Sequence, residues 1–173
     1  MIDDLINGGI FGPTLAGKTT LAKKLSRLQF DTHQRRSLVL DPWKDSWGEH
    51  AEIFHTNQQP EFWAKVWSTR AQFVIVDEAA TTISRDSDLV PAFTSLRHND
   101  HRFLVIGHNG VDLLPAMRHA LHYVFLFRQS EPATRCWIDE FADSEIEACA
   151  RLEQYEFLYC RRFQKPQRVK LTK

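Results

Sequence analysis

The stretch Gly12-Pro13-Thr14-Leu15-Ala16-Gly17-Lys18-Thr19 fits the pattern G-x-x-x-x-G-K-[ST] at every position. That spacing suits the phosphates of a nucleoside triphosphate. A loop of this kind turns successive backbone N–H groups toward one point and makes a concavity for an anion. Its glycines permit turns and a close approach that a side chain would block, and the helix that follows adds the positive end of its dipole. Lys18 is expected to reach the β- and γ-phosphates, and the Thr19 hydroxyl to ligate Mg²⁺. Gly12 through Thr19, with Thr20 beside them, form the expected nucleotide-binding set.

A second group lies some sixty residues on. Phe73-Val74-Ile75-Val76 is apolar throughout and ends in Asp77-Glu78. An apolar run of this length suits a strand buried on both faces. At its end Asp77 would stand near Mg²⁺, directly or through water, and Glu78 would polarise an attacking water as general base. A kinase must exclude water, so a glutamate in this position points to hydrolysis.

These residues need a scaffold that brings them together. Short β-like runs alternate with helix-like segments: strands at 9–11, 37–40, 73–76, 102–107 and 123–127, helices at 19–28, 61–69, 88–97, 111–120 and, in the main, 132–153. A further strand is expected at 156–162, followed by a basic tail. Strands separated by helices imply βαβ units, and hence an α/β fold with a mainly parallel central sheet flanked by helices. Ligands of such sheets sit beyond the carboxyl ends of the strands, where the phosphate loop and the acidic pair fall. The expected division is a P-loop ATPase domain over 1–155, with a C-terminal strand and basic tail over 156–173.

The chain has 173 residues and a formal net charge of zero, so nucleic-acid contact would need local patches. The longest apolar runs are strand-sized, far below the roughly 18 to 20 residues of a membrane helix. The acidic N-terminus does not read as a signal peptide. The three cysteines, Cys136, Cys149 and Cys160, lack a Cys-x-x-Cys spacing and suggest reduced thiols in an intracellular compartment.

With both motifs placed, the chain resembles the additional-strand, RecA/FtsK-like P-loop ATPases with a catalytic glutamate. Among them it is similar to the FtsK/HerA superfamily, especially the small genome-packaging ATPases of tailless, membrane-containing viruses of the tectivirus kind. Val39-Leu40-Asp41-Pro42 matches a hydrophobic–Asp–Pro signature, and Val76-Asp77-Glu78-Ala79 a Walker B strand. Thr94 to His98, then Phe103 to Asn109, resemble an Arg-His segment, an apolar strand and a polar sensor. Leu113 to Arg118 and Tyr123 to Arg128 resemble the stretch after it. The family usually places a glutamine after its fourth strand. Here the strand ends Gly107-His108-Asn109, so Asn109, by its amide, is the first candidate for the sensor, and His108, by its position, the second.

The resemblance implies a homo-oligomeric ring in which an arginine of one subunit completes the neighbour's site. Arg97 is the first candidate, followed by Arg118, Arg128 and Arg85. His98, His101, His108, His119 and His122 cluster in sequence without a zinc spacing. Arg161, Arg162, Lys165, Arg168, Lys170 and Lys173 make the C-terminus basic; they suit phosphate backbones, an acidic capsid protein or plain solvation. Trp63 and Trp67, at i,i+4, read as a helix face on the sheet, whereas Trp43 and Trp47 suit adenine, DNA or a neighbouring subunit.

The implied function is an ATP-hydrolysing DNA translocase that packages a viral genome into a preformed capsid. Its cofactors would be ATP and Mg²⁺, and its partners viral DNA, expected to be double-stranded, and capsid or portal-vertex proteins. It would work in the host cytoplasm and virion, touching membrane only through partners. The alternatives are a membrane-associated filamentous-phage assembly or secretion ATPase, a P-loop small-molecule kinase, and a non-catalytic nucleotide switch.

Overall fold

The computed structural model of the chain describes residues 6–43, 45–83 and 87–171. Strand β1 (Asn7–Phe11) runs through the phosphate loop into helix α1 (Lys18–His33). Strands β2 (Ser37–Leu40) and β3 (Ala51–Phe54) follow, then α2 (Gln59–Ser68) and β4 (Phe73–Val76). Next come α3 (Ala79–Thr82), α4 (Val90–Ser95), β5 (Arg102–Gly107), α5 (Pro115–His119) and β6 (Tyr123–Phe127). The chain closes with α6 (Glu131–Phe141), a 3₁₀ segment over Ser144–Arg151, β7 (Glu156–Arg161) and β8 (Gln167–Lys170).

Among the described residues one eight-stranded sheet forms, in the order β3-β2-β4-β5-β1-β6-β7-β8. Strands β1 to β6 are parallel; β7 and β8 are antiparallel to their neighbours. The α/β class and mainly parallel sheet are thus as expected. Alternate side chains of each strand enter two cores, one per face. Ile10, Val39, Ile75 and Leu104 pack with Leu21 and Ala22 of α1. Phe11, Leu40, Val76 and Val105 pack with Phe62 of α2, Phe93 of α4, Met117 of α5 and Trp137 of α6.

Several elements differ from the expected ones, each for a local reason. Strand β3 is additional: it is a short edge strand with an exposed Glu52, so it lacks the apolar run that marks its neighbours. The helix expected over 88–97 divides into 3₁₀ turns around α4. The one expected over 111–120 begins only at Pro115, whose fixed φ suits a first helical turn. The expected 132–153 helix stops at Phe141, because Ala142 takes a left-handed conformation with φ 53. The segment after β7 is the hairpin partner β8, with Arg168 bonded to Glu156 and Lys170 reaching Glu153 and Glu156.

Trp137 links this scaffold to the site. It is fully buried, its ring centroid lies 4.6 Å from that of Phe11 at the end of β1, and a Cβ placed on Gly110 would stand 2.5 Å from its Cζ2. Trp137→Ala is expected to lower stability by about 3 to 5 kcal/mol, read from urea unfolding. A loss below about 1 kcal/mol would mean that this contact does not hold α6 to the loop.

Candidate active site

The parallel register ends β2 and β4 level, Leu40 beside Val76, and β5 and β1 level, Gly107 beside Phe11, two residues further on; pairing continues one residue beyond β2, β4 and β1. Asp41 N–H donates to Phe54 C=O at 2.9 Å, Asp77 N–H to Leu40 C=O at 2.9 Å, and Gly12 N–H to Gly107 C=O at 3.3 Å. The groups that leave the sheet at these points therefore start from fixed positions.

The phosphate loop begins at Gly12, where a Cβ would lie 2.5 Å from that of Phe127 on β6. It ends at Gly17 with φ 107, a left-handed conformation that suits glycine. Pro13, Thr14 and Leu15 are exposed and Ala16 is buried. Lys18 is buried and donates to Gly12 C=O at 2.9 Å and Pro13 C=O at 3.0 Å, joining the loop's exit to its entry. Burial lowers its pKa, and the nearby Glu78 and Asp77 act the other way. The first turn of α1 holds no acidic residue, and its first N–H to find a helical partner is that of Leu21, bonded to Gly17 C=O at 2.9 Å. The helix thus offers Lys18, Thr19 and Thr20 N–H groups to an anion.

Thr19 Oγ1 lies 3.4 Å from Asp77 Oδ2. These are the two groups assigned to Mg²⁺ from the sequence, and their chemistry fits: Mg²⁺ takes oxygen donors, few of them from protein, and completes its shell with phosphates and water. Asp77 is 4% exposed. Burial pushes its carboxyl up to about 6, reinforced by Asp41 and Glu78 and opposed by the Glu78 N–H and Lys18. A site with three carboxylates and one buried lysine favours an added cation. Among the described residues no cluster of three or more His, Cys, Asp or Glu could hold a metal by itself.

Glu78 adopts φ 51 at the start of α3, a conformation uncommon outside glycine and typical of functional sites. Its N–H donates to Asp77 Oδ1 at 2.8 Å, and its C=O accepts from the Thr82 N–H and hydroxyl, each at 3.1 Å. The side chain then meets His108 Nε2 at 3.2 Å. Of the two sensor candidates, His108 is therefore the one in contact with the glutamate; Asn109 precedes a 3₁₀ turn and accepts the Asp112 N–H through its carbonyl.

Two further residues carry this arrangement. Asp41 is buried, and its carboxylate accepts from Trp43 N–H, Asp45 N–H and Trp47 Nε1 at 2.8 to 3.1 Å. The Asp-Pro signature is thus a clamp on the loop after β2; it buries Trp47 and leaves Trp43 75% exposed. Gln129, buried after β6, donates to the carbonyls of His108 at 3.4 Å and Arg128 at 3.3 Å. No motif in the sequence marks it.

The arginines separate by position. Arg118 donates to Gly110 C=O and Leu113 C=O and approaches Glu140, so it braces the loop after β5. Arg128 is exposed beside the phosphate loop, on a cleft of about 190 Å³ shared with Leu15, Phe127 and Gln154. Arg97 is exposed on the turn before β5, at the opposite edge of the sheet from its own phosphate loop. Arg85 lies outside the described residues, as does Lys173 of the basic tail. Of the histidines, His101 is fully buried between Val66 C=O and Gln72 N–H, and His119 meets Glu140. Trp63 is buried against the sheet, whereas Trp67 is 44% exposed.

No protein-family model matches the chain, and no curated protein matches it in sequence. Solved structures do match. The genome packaging NTPase B204 from Sulfolobus turreted icosahedral virus 2, solved with AMP, superposes with a TM-score of 0.80 at 19% identity, over 98% of each chain. VirB4 of Thermoanaerobacter pseudethanolicus gives 0.76 at 12% identity, over 99% of this chain and 91% of that one. The N-terminal domain of zonular occludens toxin from Neisseria meningitidis gives 0.62 at 14% identity, over 96% and 93%. The chain therefore has the P-loop NTPase fold shared by a viral genome-packaging NTPase and VirB4, in agreement with the resemblance drawn from its sequence.

Proposed function

We propose that this chain is an ATPase that moves double-stranded viral DNA into a preformed capsid, working as a homo-oligomeric ring at a packaging vertex. The observation that supports hydrolysis is the meeting of two pairs above neighbouring strand ends, Thr19 with Asp77 and Glu78 with His108. The N–H groups at the start of α1 and the Lys18 ammonium bind the triphosphate. Mg²⁺, held through Thr19 and Asp77, would supply charge neutralisation on the phosphates. Glu78 accepts a proton from the water that attacks the γ-phosphate, and His108 orients Glu78 and senses the γ-phosphate. A trans-acting arginine would come from the next subunit, which is the only way that Arg97 can reach a phosphate loop. The DNA role rests on the sequence resemblance and on the likeness to B204, a genome packaging NTPase in its own right. No described helix is long and apolar enough to cross a membrane; contact with membrane would come through capsid partners.

The deciding experiment is ATP hydrolysis by the full chain with and without double-stranded DNA. DNA stimulation is expected, and Glu78→Gln should cut turnover at least about 100-fold while fluorescent nucleotide still binds. Phosphate transfer to a small acceptor, with no DNA effect, would overturn the motor in favour of a kinase.

His108→Ala should lower kcat by about tenfold or more with little change in KM, the signature of a group that acts in the transition state. Asn109→Ala should change kcat less. The reverse order would move the sensor to Asn109.

Asp77 gives a pH signature. Its folded-state pKa is raised, from 3.8 to about 6, so the folded chain holds this proton more tightly than the unfolded one. The stability that the group contributes is complete below pH 3.8 and is lost as pH rises through about 6, a change on the order of 3 kcal/mol. Asp77→Asn should remove that part of the slope in urea titrations of nucleotide-free protein between pH 4 and 7. An unchanged slope would assign it to other groups.

A further inference from the structure

The groups that face the γ-phosphate set the direction in which a bound triphosphate runs. Glu78 and His108 stand beyond β4 and β5, on one side of β1 in the sheet. Lys18 and the first N–H groups of α1 take the phosphates at β1 itself. The far end of the nucleotide then points to the other side of β1, above β6 and β7. A cleft of about 190 Å³ opens there, between the phosphate loop and the turn that leads into β7. Leu15, Phe127 and Leu152 give it apolar walls, and Gln154 stands at its rim. Apolar walls with a few placed polar groups are the usual lining of a small-molecule site.

The backbone on both sides of this cleft is held in an uncommon form. Leu15 has φ 63 and is 81% exposed, and Tyr155, next to Gln154, has φ 64. Bulky residues adopt the left-handed region rarely, and keep it where surrounding contacts fix it, often at ligand clamps. The contacts here join the two sides. Gln154 Nε2 donates to Leu15 C=O at 3.3 Å. A Cβ on Gly17 would lie 3.1 Å from Tyr155 Cδ1 and 3.4 Å from Leu171 Cδ2, and Leu171 N–H donates to Tyr155 C=O at 2.8 Å. The β7–β8 hairpin is thus seated on the phosphate loop, and Gln154 has a set place beside it.

The bond to Leu15 also fixes how the Gln154 amide is turned. A carbonyl only accepts, so the atom that faces Leu15 is the nitrogen. The amide oxygen and the second N–H remain for a ligand, an acceptor and a donor side by side. That pair matches the N6–H donor and N7 acceptor of adenine, whereas the same edge of guanine carries two acceptors.

We infer that this cleft seats the nucleobase, with Leu15 against its face and Gln154 reading adenine at its edge, so that the chain binds ATP in preference to GTP. The inference rests on the nucleotide-binding part of the function proposed above, and names the residue that selects the base.

The test is isothermal titration calorimetry of the full chain with MgATP, MgGTP and magnesium tripolyphosphate, comparing wild type, Gln154→Ala and Leu15→Asn, with thermal melting of each. Tripolyphosphate engages the loop without a base. Asparagine tolerates the left-handed backbone but removes the apolar wall. The wild type is expected to favour ATP over GTP about fivefold or more, and Gln154→Ala to bring that ratio near 1 with tripolyphosphate affinity kept within about twofold. Leu15→Asn should weaken ATP and GTP alike, by about fivefold, and leave tripolyphosphate unchanged. Equal binding of ATP and GTP by the wild type, a measurement that needs no variant, would overturn the inference, as would a preference that Gln154→Ala retains. An equal loss of all three ligands in a folded Gln154→Ala would make the residue a brace of the loop alone and overturn it also. Absence of binding of all three by the wild type would overturn the nucleotide reading itself.

Discussion

A carboxylate buried at the end of an apolar strand is costly unless something offsets its charge, and the rest of the site is arranged around that demand at Asp77. One oxygen accepts the Glu78 N–H and the other faces the Thr19 hydroxyl. Lys18 is near enough to favour the ionised form, but Asp41 and Glu78 oppose it, and burial outweighs the lysine. The pocket is therefore short of positive charge in the place where a metal–nucleotide complex would bring it. Binding energy can then be drawn from relief of this imbalance as well as from contacts to the phosphates, and the loop needs no acidic ligand of its own.

The same demand explains why Asp41 is held so firmly. Three N–H donors occupy its carboxylate, so its charge is satisfied locally and does not compete for the metal. Its field still reaches Asp77 and helps to raise that group's pKa. A loosely held Asp41 would be a second acceptor beside the first. The buried Trp47 indole, donating from the core on the α1 face, holds one of its oxygens.

How much of this is legible in the sequence follows from how local each constraint is. The phosphate loop, the apolar run before Asp77 and four of the central strands carry their own patterns, because backbone geometry or burial on both faces dictates the residue types. Strand β3 carries no such pattern, since half of an edge strand's environment is solvent. The break at Ala142 is unmarked because an alanine, not a glycine, takes the left-handed turn. The brace from Arg118 to Gly110 and Leu113, and the seat of Gln129 under His108, depend on residues brought together only by the sheet order. The cations after Glu156 look free in the sequence because their partners, Asp143, Glu145 and Glu153, come earlier in the chain.

That last point changes what a zero net charge means. In a parallel sheet all strand starts lie on one edge and all strand ends on the other, so residues placed just before and just after strands are sorted in space even when they alternate along the chain. Arg36 and Asp41 are separated by one four-residue strand, as are Arg70–Gln72 and Asp77 by another, yet each pair stands at opposite faces of the molecule. Parallel topology thereby keeps these strand-start arginines away from Asp77 and Glu78, and Lys18 is the cation whose field acts on Asp77.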